Sequence, residues 1–230
     1  MSLDLDTPAA RIARLARARM SLPGLREESV KIDAGGVTRG RFLLSFGRDA
    51  LRPGPKARLA ALAADLGLDP APLLPHVGSV CAVHVGAEAD GRAKLYLEFT
   101  AGAAPEAGLV YLAVKHDARL NRYLQERDPE ALLGRAVPEG PMRQTARACL
   151  PLAGGLLRVE EEGSPRLSLD LNLADAGLTV GDLPGLEPLL AGRGDALSDL
   201  RGEKLGHFAA GTGRDGQPFA TIYYGGRHDP

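Results

Sequence analysis

The segment from Arg92 to Thr100 alternates between apolar residues and residues whose side chains could do chemistry. Lys94, Tyr96 and Glu98 are spaced two apart, and a leucine or a phenylalanine follows each of them. In a β-strand this spacing places the three side chains on one face. An ammonium group, an aromatic ring and a carboxylate on one face could bind an anion, shield a cation and accept a proton.

Other segments alternate in the same way, with polar and tyrosine residues on one face and aliphatic residues on the other. They are Arg41–Phe46, Leu109–Lys115, Leu156–Glu161 and Arg166–Leu173, and the segment Pro218–Tyr224 adds a further tyrosine. The residues that these segments are predicted to place on polar faces include Arg41, Tyr111, Lys115, Arg158, Asp170 and Tyr223. Lysines, arginines and tyrosines therefore recur on one side of the predicted sheet.

The elements that must position these faces are strand pairs separated by helices. Turn signals predict nine strands: Ser29–Asp33, Val37–Phe46, Ser79–Ala87, Arg92–Thr100, Leu109–Lys115, Leu156–Glu161, Arg166–Leu173, Leu205–Thr212 and Pro218–Tyr224. A tenth strand would fall near Ala131–Val137. Apolar periodicity and capping signals predict helices at Thr7–Met20, Lys56–Leu66, Asp69–His76, Asp117–Arg127, Pro141–Leu150 and Val180–Leu190.

Strand pairs with helices between them predict an α+β fold with an antiparallel sheet. Two arrangements fit the alternation: an open sheet with one face in solvent, and a closed barrel with a polar interior. The tyrosines favour the barrel, because a solvent-exposed face would more readily carry threonine, lysine and glutamate. The predicted fold is therefore an antiparallel β-barrel with a polar interior, wrapped by helices in α-β-β-α repeats, in a single domain over residues 1–230.

The composition argues against several classes of protein. The chain has 28 basic and 29 acidic residues and a net charge of −1, so it offers no basic field to a nucleic acid. No run approaches the ~20 apolar residues of a membrane helix, and the acidic start, Met1–Asp6, is unlike a targeting peptide. Cys81 and Cys149 lack metal-type spacing and favour reduced thiols, which predicts a cytoplasmic location.

The element order and two strand motifs resemble the ABBA-type aromatic prenyltransferases, a family that includes the indole prenyltransferases. The run Arg92-Ala-Lys94-Leu-Tyr96-Leu-Glu-Phe is similar to the Lys-x-Tyr strand of that family, and Phe219–Tyr224 is similar to its tyrosine-bearing last strand. In the family, the lysine contacts the diphosphate and the tyrosine shields the allyl cation. The resemblance implies transfer of a prenyl group from an allylic diphosphate to an aromatic acceptor inside the barrel.

This chemistry gives the polar residues expected roles. Arg41, Lys94, Lys115 and Arg158 are expected to bind the diphosphate, Tyr96, Tyr111 and Tyr223 to surround the carbocation, and Glu98 or Asp170 to orient the acceptor and take its proton. Two alternatives share the architecture. One is a non-catalytic protein that binds an anionic small molecule, and the other is an interaction subunit whose polar sheet face docks a partner.

No cofactor is predicted, with magnesium as the minor alternative. Asp170 and Asn172 share a strand face and could ligate a hard cation, although the sequence offers no evident third ligand. The five histidines lack metal-binding spacing and are expected to have structural roles.

Overall fold

The computed structural model describes residues 7–20 and 23–228. The acidic segment Met1–Asp6 lies outside the described residues. Among the described residues, no helix combines the length and the apolar character needed to cross a bilayer.

Ten strands pair in an antiparallel, closed barrel in this part of the chain. They are β1 (Leu25–Asp33), β2 (Gly36–Gly47), β3 (Val80–Ala87), β4 (Ala93–Phe99), β5 (Leu109–Lys115), β6 (Leu120–Gln125), β7 (Gly155–Glu161), β8 (Leu167–Asn172), β9 (Leu205–Thr212) and β10 (Pro218–His228). Each strand pairs with the next one in sequence, and β1 closes the ring by pairing with both β2 and β10. The predicted antiparallel barrel is confirmed, and closure leaves no unpaired sheet edge.

Five α-helices accompany the strands in the described residues: α1 (Pro8–Met20), α2 (Pro55–Asp65), α3 (Pro129–Ala136), α4 (Pro141–Cys149) and α5 (Leu186–Leu189). The hydroxyl of Thr7 accepts a hydrogen bond from the amide of Ala10 at 3.1 Å, as its predicted capping role requires. The helix predicted over Val180–Leu190 is reduced to a 3-10 turn at Val180–Asp182 and the single turn of α5. Its two prolines and two glycines explain the interruption.

Two predictions in the middle of the chain are wrong. The segment Asp117–Arg127, predicted as a helix, contains strand β6, and Ala131–Val137, suggested as a tenth strand, lies mostly in helix α3. Strand β6 lies between β5 and β7 in the ring, so barrel closure overrides the local helical preference there. The sequence does carry a signal for the start of helix α3. Asp128 is the N-cap and accepts a hydrogen bond from the amide of Ala131 at 3.0 Å, and Pro129 follows it.

The chain divides into two compact units. The first contains the described residues 7–20, 23–27, 40–123 and 227–228, and the second contains residues 28–39 and 124–226. The prediction of a single domain stays a prediction.

In the first unit, α1 packs against α2 and against β3. The core combines one side of these helices with every second residue of the strands. Its buried members include Ile12, Ala16, Leu59, Leu62, Phe42, Leu44, Phe46, Val83, Val85, Leu95 and Leu97. The alternate strand residues lie on the opposite face, and on β4 these residues, Lys94, Tyr96 and Glu98, are partly buried. We call the strand face turned away from the helices the inner face.

In the second unit, α3 packs against β8 and β9, and α4 packs against β9. The apolar strand residues and the helices form one core, whose members include Leu132, Leu133, Ala146, Leu169, Leu171, Phe208, Ala210, Ala220 and Ile222. The inner face of this unit therefore carries the residues of the other parity, such as Asp170 on β8 and His207 on β9.

Candidate active site

The inner faces of β2 to β5 form three ordered rows, because the register of these strands is regular. Residues directly opposite each other on paired strands project to the same face. Successive rows are two residues apart, which is about 7 Å along a strand. The rows are Leu43–Gly86–Lys94–Lys115, Ser45–His84–Tyr96–Ala113 and Gly47–Ala82–Glu98–Tyr111.

Basic side chains gather at one end of these rows, which we call the cationic end (Arg41, Glu88, Lys94 and Lys115). Arg41 donates to both carboxylate oxygens of Glu88, with Nε–Oε2 at 2.6 Å and Nη2–Oε1 at 3.2 Å. Lys94 forms an ion pair with the same carboxylate. Lys115 lies opposite Lys94 on β5 and is buried. The cationic end therefore contains three basic side chains and the Glu88 carboxylate.

Glu88 is the electrostatic centre of the cationic end. Burial by itself raises the pKa of Glu88, but the charges and hydrogen bonds of Lys94 and Arg41 outweigh it and hold the pKa well below its usual range. The carboxylate is therefore ionised at neutral pH. Its side chain is 18% exposed, and those of Arg41 and Lys94 are 10% and 17% exposed.

Four aromatic rings form the next part of the site, which we call the tyrosine cluster (His84, Tyr96, Tyr111 and Tyr123). Tyr123 packs against Tyr96 and Tyr111, with centroid distances of 5.8 and 5.7 Å. His84 meets the same two tyrosines, at 6.4 and 5.5 Å. Gly86 leaves room for this packing, since a Cβ there would lie 3.2 Å from Cε2 of Tyr96. The π faces and edges of such a cluster suit a cationic or aromatic ligand.

A hydrogen-bonded chain crosses the last two rows. Nε2 of His84 lies 3.0 Å from Oε2 of Glu98, and Nδ1 lies 2.7 Å from Oγ of Ser45. Because a carboxylate only accepts hydrogen bonds, Nε2 of His84 donates to Glu98, and a neutral His84 then accepts from the Ser45 hydroxyl. His84 is 7% exposed. Its contact with Glu98 involves one of the two carboxylate oxygens, Oε2.

The second unit places Asp170 and Tyr223 together around a histidine. Oδ1 of Asp170 lies 2.9 Å from Nδ1 of His207, and the His207 ring is 6.0 Å from the ring of Tyr223. Tyr223 is opposite His207 in the β9–β10 register and lies on the inner face. The neighbouring Tyr224 is buried in the helix-covered core instead. Burial there, reinforced by the charge of Glu28, raises the pKa of Tyr224 to about 12.

The predicted position of Arg158 on the polar face is wrong. Arg158 is opposite Leu169, which is buried in the core with the helices, whereas its neighbour Leu157 is opposite Asp170. Arg158 also pairs with Glu160 on its own side of β7, at 3.3 Å. On β7 both faces carry apolar and polar residues, so alternation alone does not identify the inner face. We therefore remove Arg158 from the candidate diphosphate ligands.

Three residues of the first unit's site were not among the predicted site residues. Tyr123 was missed because its strand was predicted as a helix. His84 was given a structural role, although its alternation with Val83 and Val85 placed it on a polar face. Glu88 follows the last residue of β3 and was treated only as part of a turn. A carboxylate at the first position of the Glu88-Ala-Asp-Gly91 turn gives no signal of which cations its side chain will contact.

In the described parts of the chain, no three His, Cys, Asp or Glu side chains are grouped so as to hold a metal ion. Asp170 contacts His207, and Oδ1 of Asn172 accepts a hydrogen bond from the amide of Ala174 at 3.0 Å. The two residues of the magnesium alternative thus have other partners.

No protein-family model matches this sequence, and no curated protein matches it. Solved structures do. The barrel is similar to 5-dimethylallyltryptophan synthase from Streptomyces coelicolor, with a TM-score of 0.55, 13% identity, and coverage of 96% of this chain and 98% of that one. It is also similar to NotF in complex with brevianamide F and DMSPP, with a TM-score of 0.57, 14% identity, and coverage of 88% and 80%.

A third similar structure is PriB in a binary complex with product diphosphate, with a TM-score of 0.53, 14% identity, and coverage of 95% of this chain and 90% of that one. The fold is that of the aromatic prenyltransferases. The predicted resemblance is therefore confirmed at the level of the barrel. At 13–14% identity, an aromatic-prenyltransferase fold does not by itself assign a reaction, so the function has to be argued from the residues of this chain.

Proposed function

We propose that this protein transfers a prenyl group from an allylic diphosphate to an aromatic acceptor. The observation that carries the proposal is the order of chemistry along the inner face of the first unit. The row with Lys94 and Lys115 comes first, the row with His84 and Tyr96 follows, and Glu98 lies opposite Tyr111 in the third row. Lys94 and Glu98 are four residues apart on β4, about 13 Å by the standard rise, which leaves room for a prenyl chain and an aromatic ring between them.

The cationic end supplies what a diphosphate leaving group needs. As the C–O bond of the allylic diphosphate breaks, the electron pair leaves with the diphosphate and its charge rises. Lys94, Lys115 and Arg41 would stabilise that charge increasingly through ionisation, which is the condition for catalysis rather than binding alone. Because three side chains provide this charge, we propose that no metal cofactor is needed. Activity that persists in EDTA would support this point, and loss restored by magnesium would contradict it.

The tyrosine cluster supplies what the allyl cation needs. Tyr96, Tyr111 and Tyr123 offer ring surfaces that attract a carbocation and exclude water, which would otherwise capture it. The acceptor ring then forms a bond to the allyl carbon, and a proton leaves the acceptor. Glu98, held by His84, is the proposed proton acceptor. Asp170 and Tyr223 lie in the second unit, and their expected roles stay predictions.

The ligands bound in two similar structures support the substrate class. The synthase from Streptomyces coelicolor has been solved with DMASPP and Trp, and PriB with product diphosphate. We propose that this chain uses substrates of the same two classes, an allylic diphosphate and an aromatic acceptor.

Cys81 and Cys149 are free thiols, which supports a reducing, cytoplasmic location.

The test is to incubate the purified protein with allylic diphosphates of several chain lengths and with tryptophan and other aromatic acceptors. We expect an acceptor heavier by one prenyl group, detected by mass spectrometry, together with pyrophosphate release. Stabilisation against heat by the diphosphate without any product would support the binding-protein alternative. If the diphosphates neither stabilise the protein nor give a product, both of these functions are contradicted. The interaction subunit then remains.

A further inference from the structure

The carboxylate of Glu88 lies where an anionic ligand of the cationic end would have to lie. It accepts two hydrogen bonds from the guanidinium of Arg41 and forms an ion pair with the ammonium of Lys94. These are the same two groups that a diphosphate would use in the proposed function. A carboxylate and a phosphate oxygen pair compete for the same bidentate geometry on an arginine.

The backbone and the side chain of Glu88 differ in how they are held. The amide of Glu88 donates to the carbonyl of Arg92 at 2.9 Å, and the amide of Gly91 donates to the carbonyl of Glu88 at 3.0 Å, so the turn fixes the main chain. The carboxylate contacts Arg41 and Lys94, which belong to neighbouring strands. Rotation about its side-chain bonds is therefore enough to remove the carboxylate from the cations without unfolding the turn.

We infer that Glu88 is an internal counter-ion of the diphosphate site, which an incoming diphosphate displaces from Arg41 and Lys94 and which returns to them when pyrophosphate leaves. The inference rests on the proposed function for the identity of the ligand. Before a diphosphate binds, the Glu88 carboxylate pairs with two partly buried cations and lowers the cost of keeping them close together. In the turnover cycle, its return offsets the cost of losing the pyrophosphate and so speeds product release.

A purely supporting role for Glu88 predicts the opposite result on mutation. If the carboxylate stayed in place and only oriented Arg41 and Lys94 around a bound diphosphate, its removal would weaken anion binding. If it competes with the diphosphate, its removal strengthens anion binding. The sign of the change therefore distinguishes the two roles.

The experiment compares the parent protein, Glu88→Gln and a matched control, Asp90→Asn, by calorimetric titration with inorganic pyrophosphate. Asp90 lies in the same turn and also loses one negative charge, but its carboxylate pairs with the exposed Arg92. We expect Glu88→Gln to bind pyrophosphate about tenfold more tightly, at the low end of what a close charge pair contributes. We expect Asp90→Asn to bind within about twofold of the parent, because its charge lies outside the site.

Two further measurements locate the effect and guard against misfolding. Adding Lys94→Ala to Glu88→Gln should abolish the gain in pyrophosphate affinity. That result would place the bound pyrophosphate at Lys94. Circular dichroism and a thermal melt check that Glu88→Gln is folded, and Glu88→Asp provides a second variant that keeps the charge on a shorter side chain. Because the shorter carboxylate reaches the cations less well, Glu88→Asp should bind pyrophosphate with an affinity between those of the parent and Glu88→Gln.

Each outcome decides between the two roles. Tighter binding by Glu88→Gln, with the slower pyrophosphate dissociation that accompanies it, supports the internal counter-ion. Equal or weaker binding by folded Glu88→Gln, while the parent binds pyrophosphate, overturns it and leaves the proposed function in place. No pyrophosphate binding by the parent or by either Glu88 variant overturns both the counter-ion and the diphosphate site.

Discussion

The two units carry different chemistry on their inner faces, although both are built from consecutive antiparallel strands. In the first unit, each of the three rows on β2 to β5 contains a charged side chain or a tyrosine. In the second, the inner positions of β7 to β10 include many small or apolar residues: Leu157, Val159, Ser168, Ala209, Gly211, Phe219 and Thr221. The inner face of the first unit therefore carries chemically reactive groups, whereas that of the second carries mostly small or apolar side chains.

The buried carboxylates of the two units sharpen this difference. Glu161 in the second unit has a fully buried side chain and binds Arg214, with Oε2 2.8 Å from Nη2, while Arg166 lies 3.9 Å away. Glu88 in the first unit is partly exposed and holds two cations from neighbouring strands. A carboxylate whose own side chain is fully buried is suited to fixing a fold, whereas a partly exposed carboxylate can exchange its partners for a ligand. The predictions below test whether the chemistry belongs to the first unit.

The largest expected effect separates the two candidate proton acceptors. Glu98→Gln removes the carboxylate of the first unit and should lower kcat by about 100- to 10,000-fold, the usual range for losing a general base. Asp170→Asn makes the same chemical change in the second unit and should lower kcat less than about tenfold, because its contact with His207 can persist as a neutral hydrogen bond. Steady-state kinetics with saturating substrates measures both. The reverse order would move the proton acceptor to the second unit.

A smaller loss is expected at the cationic end. Lys94→Ala removes a contact that strengthens as the C–O bond breaks, so kcat/KM should fall by about 30- to 1000-fold, with kcat affected as well as KM. Lys56→Ala is the matched control, because Lys56 is exposed on helix α2. A folded Lys94→Ala protein that binds the diphosphate as tightly as the parent would refute the assignment of Lys94.

Glu88 should also make the free energy of unfolding of the parent protein depend on pH in the acidic range. A carboxylate whose pKa is lowered in the folded protein stabilises it fully above the unfolded pKa, and this contribution is lost as the pH falls through the folded pKa. Glu88→Gln should therefore destabilise the protein by about 1–3 kcal/mol at pH 7, between the values for exposed and buried pairs. The difference should shrink below about pH 4, in urea unfolding measured at each pH. A difference that is constant with pH would show that Glu88 does not act through its charge.

The smallest effect concerns the rings of the tyrosine cluster. Tyr96→Ala and Tyr123→Ala should each lower kcat by about three- to thirtyfold, because a cation–π contact is worth about 0.5–2 kcal/mol. The corresponding phenylalanine variants keep the ring and should lose less. Equal losses for phenylalanine and alanine at either position would mean that the hydroxyl, and not the π face, is what the site uses. The product distribution gives a second check on the role of the rings, because capture of the carbocation by water yields a prenyl alcohol.

The sequence alone determined which residues of β2, β4 and β5 share a face. Alternation with a period of two is a local property, and on β4 every residue of one parity is apolar, so Lys94, Tyr96 and Glu98 could be placed together without a structure. The same property, with the turn signals, predicted nine of the strands, and the tyrosines on the polar faces favoured a closed barrel over an open sheet. On β7 the pattern was ambiguous, and only the pairing of Arg158 with Leu169 decided which face is inner.

The tertiary structure decided the rest, for reasons that no local pattern carries. Strand β6 exists because the edges of β5 and β7 need a partner, and it brings Tyr123 to the tyrosine cluster. Glu88 meets Arg41 and Lys94 because β2, β3 and β4 lie side by side in one register, although 47 residues separate Arg41 from Glu88 in sequence. Side-chain parity is encoded within a strand, but the partners of a side chain depend on the pairing between strands, which is a property of the whole barrel.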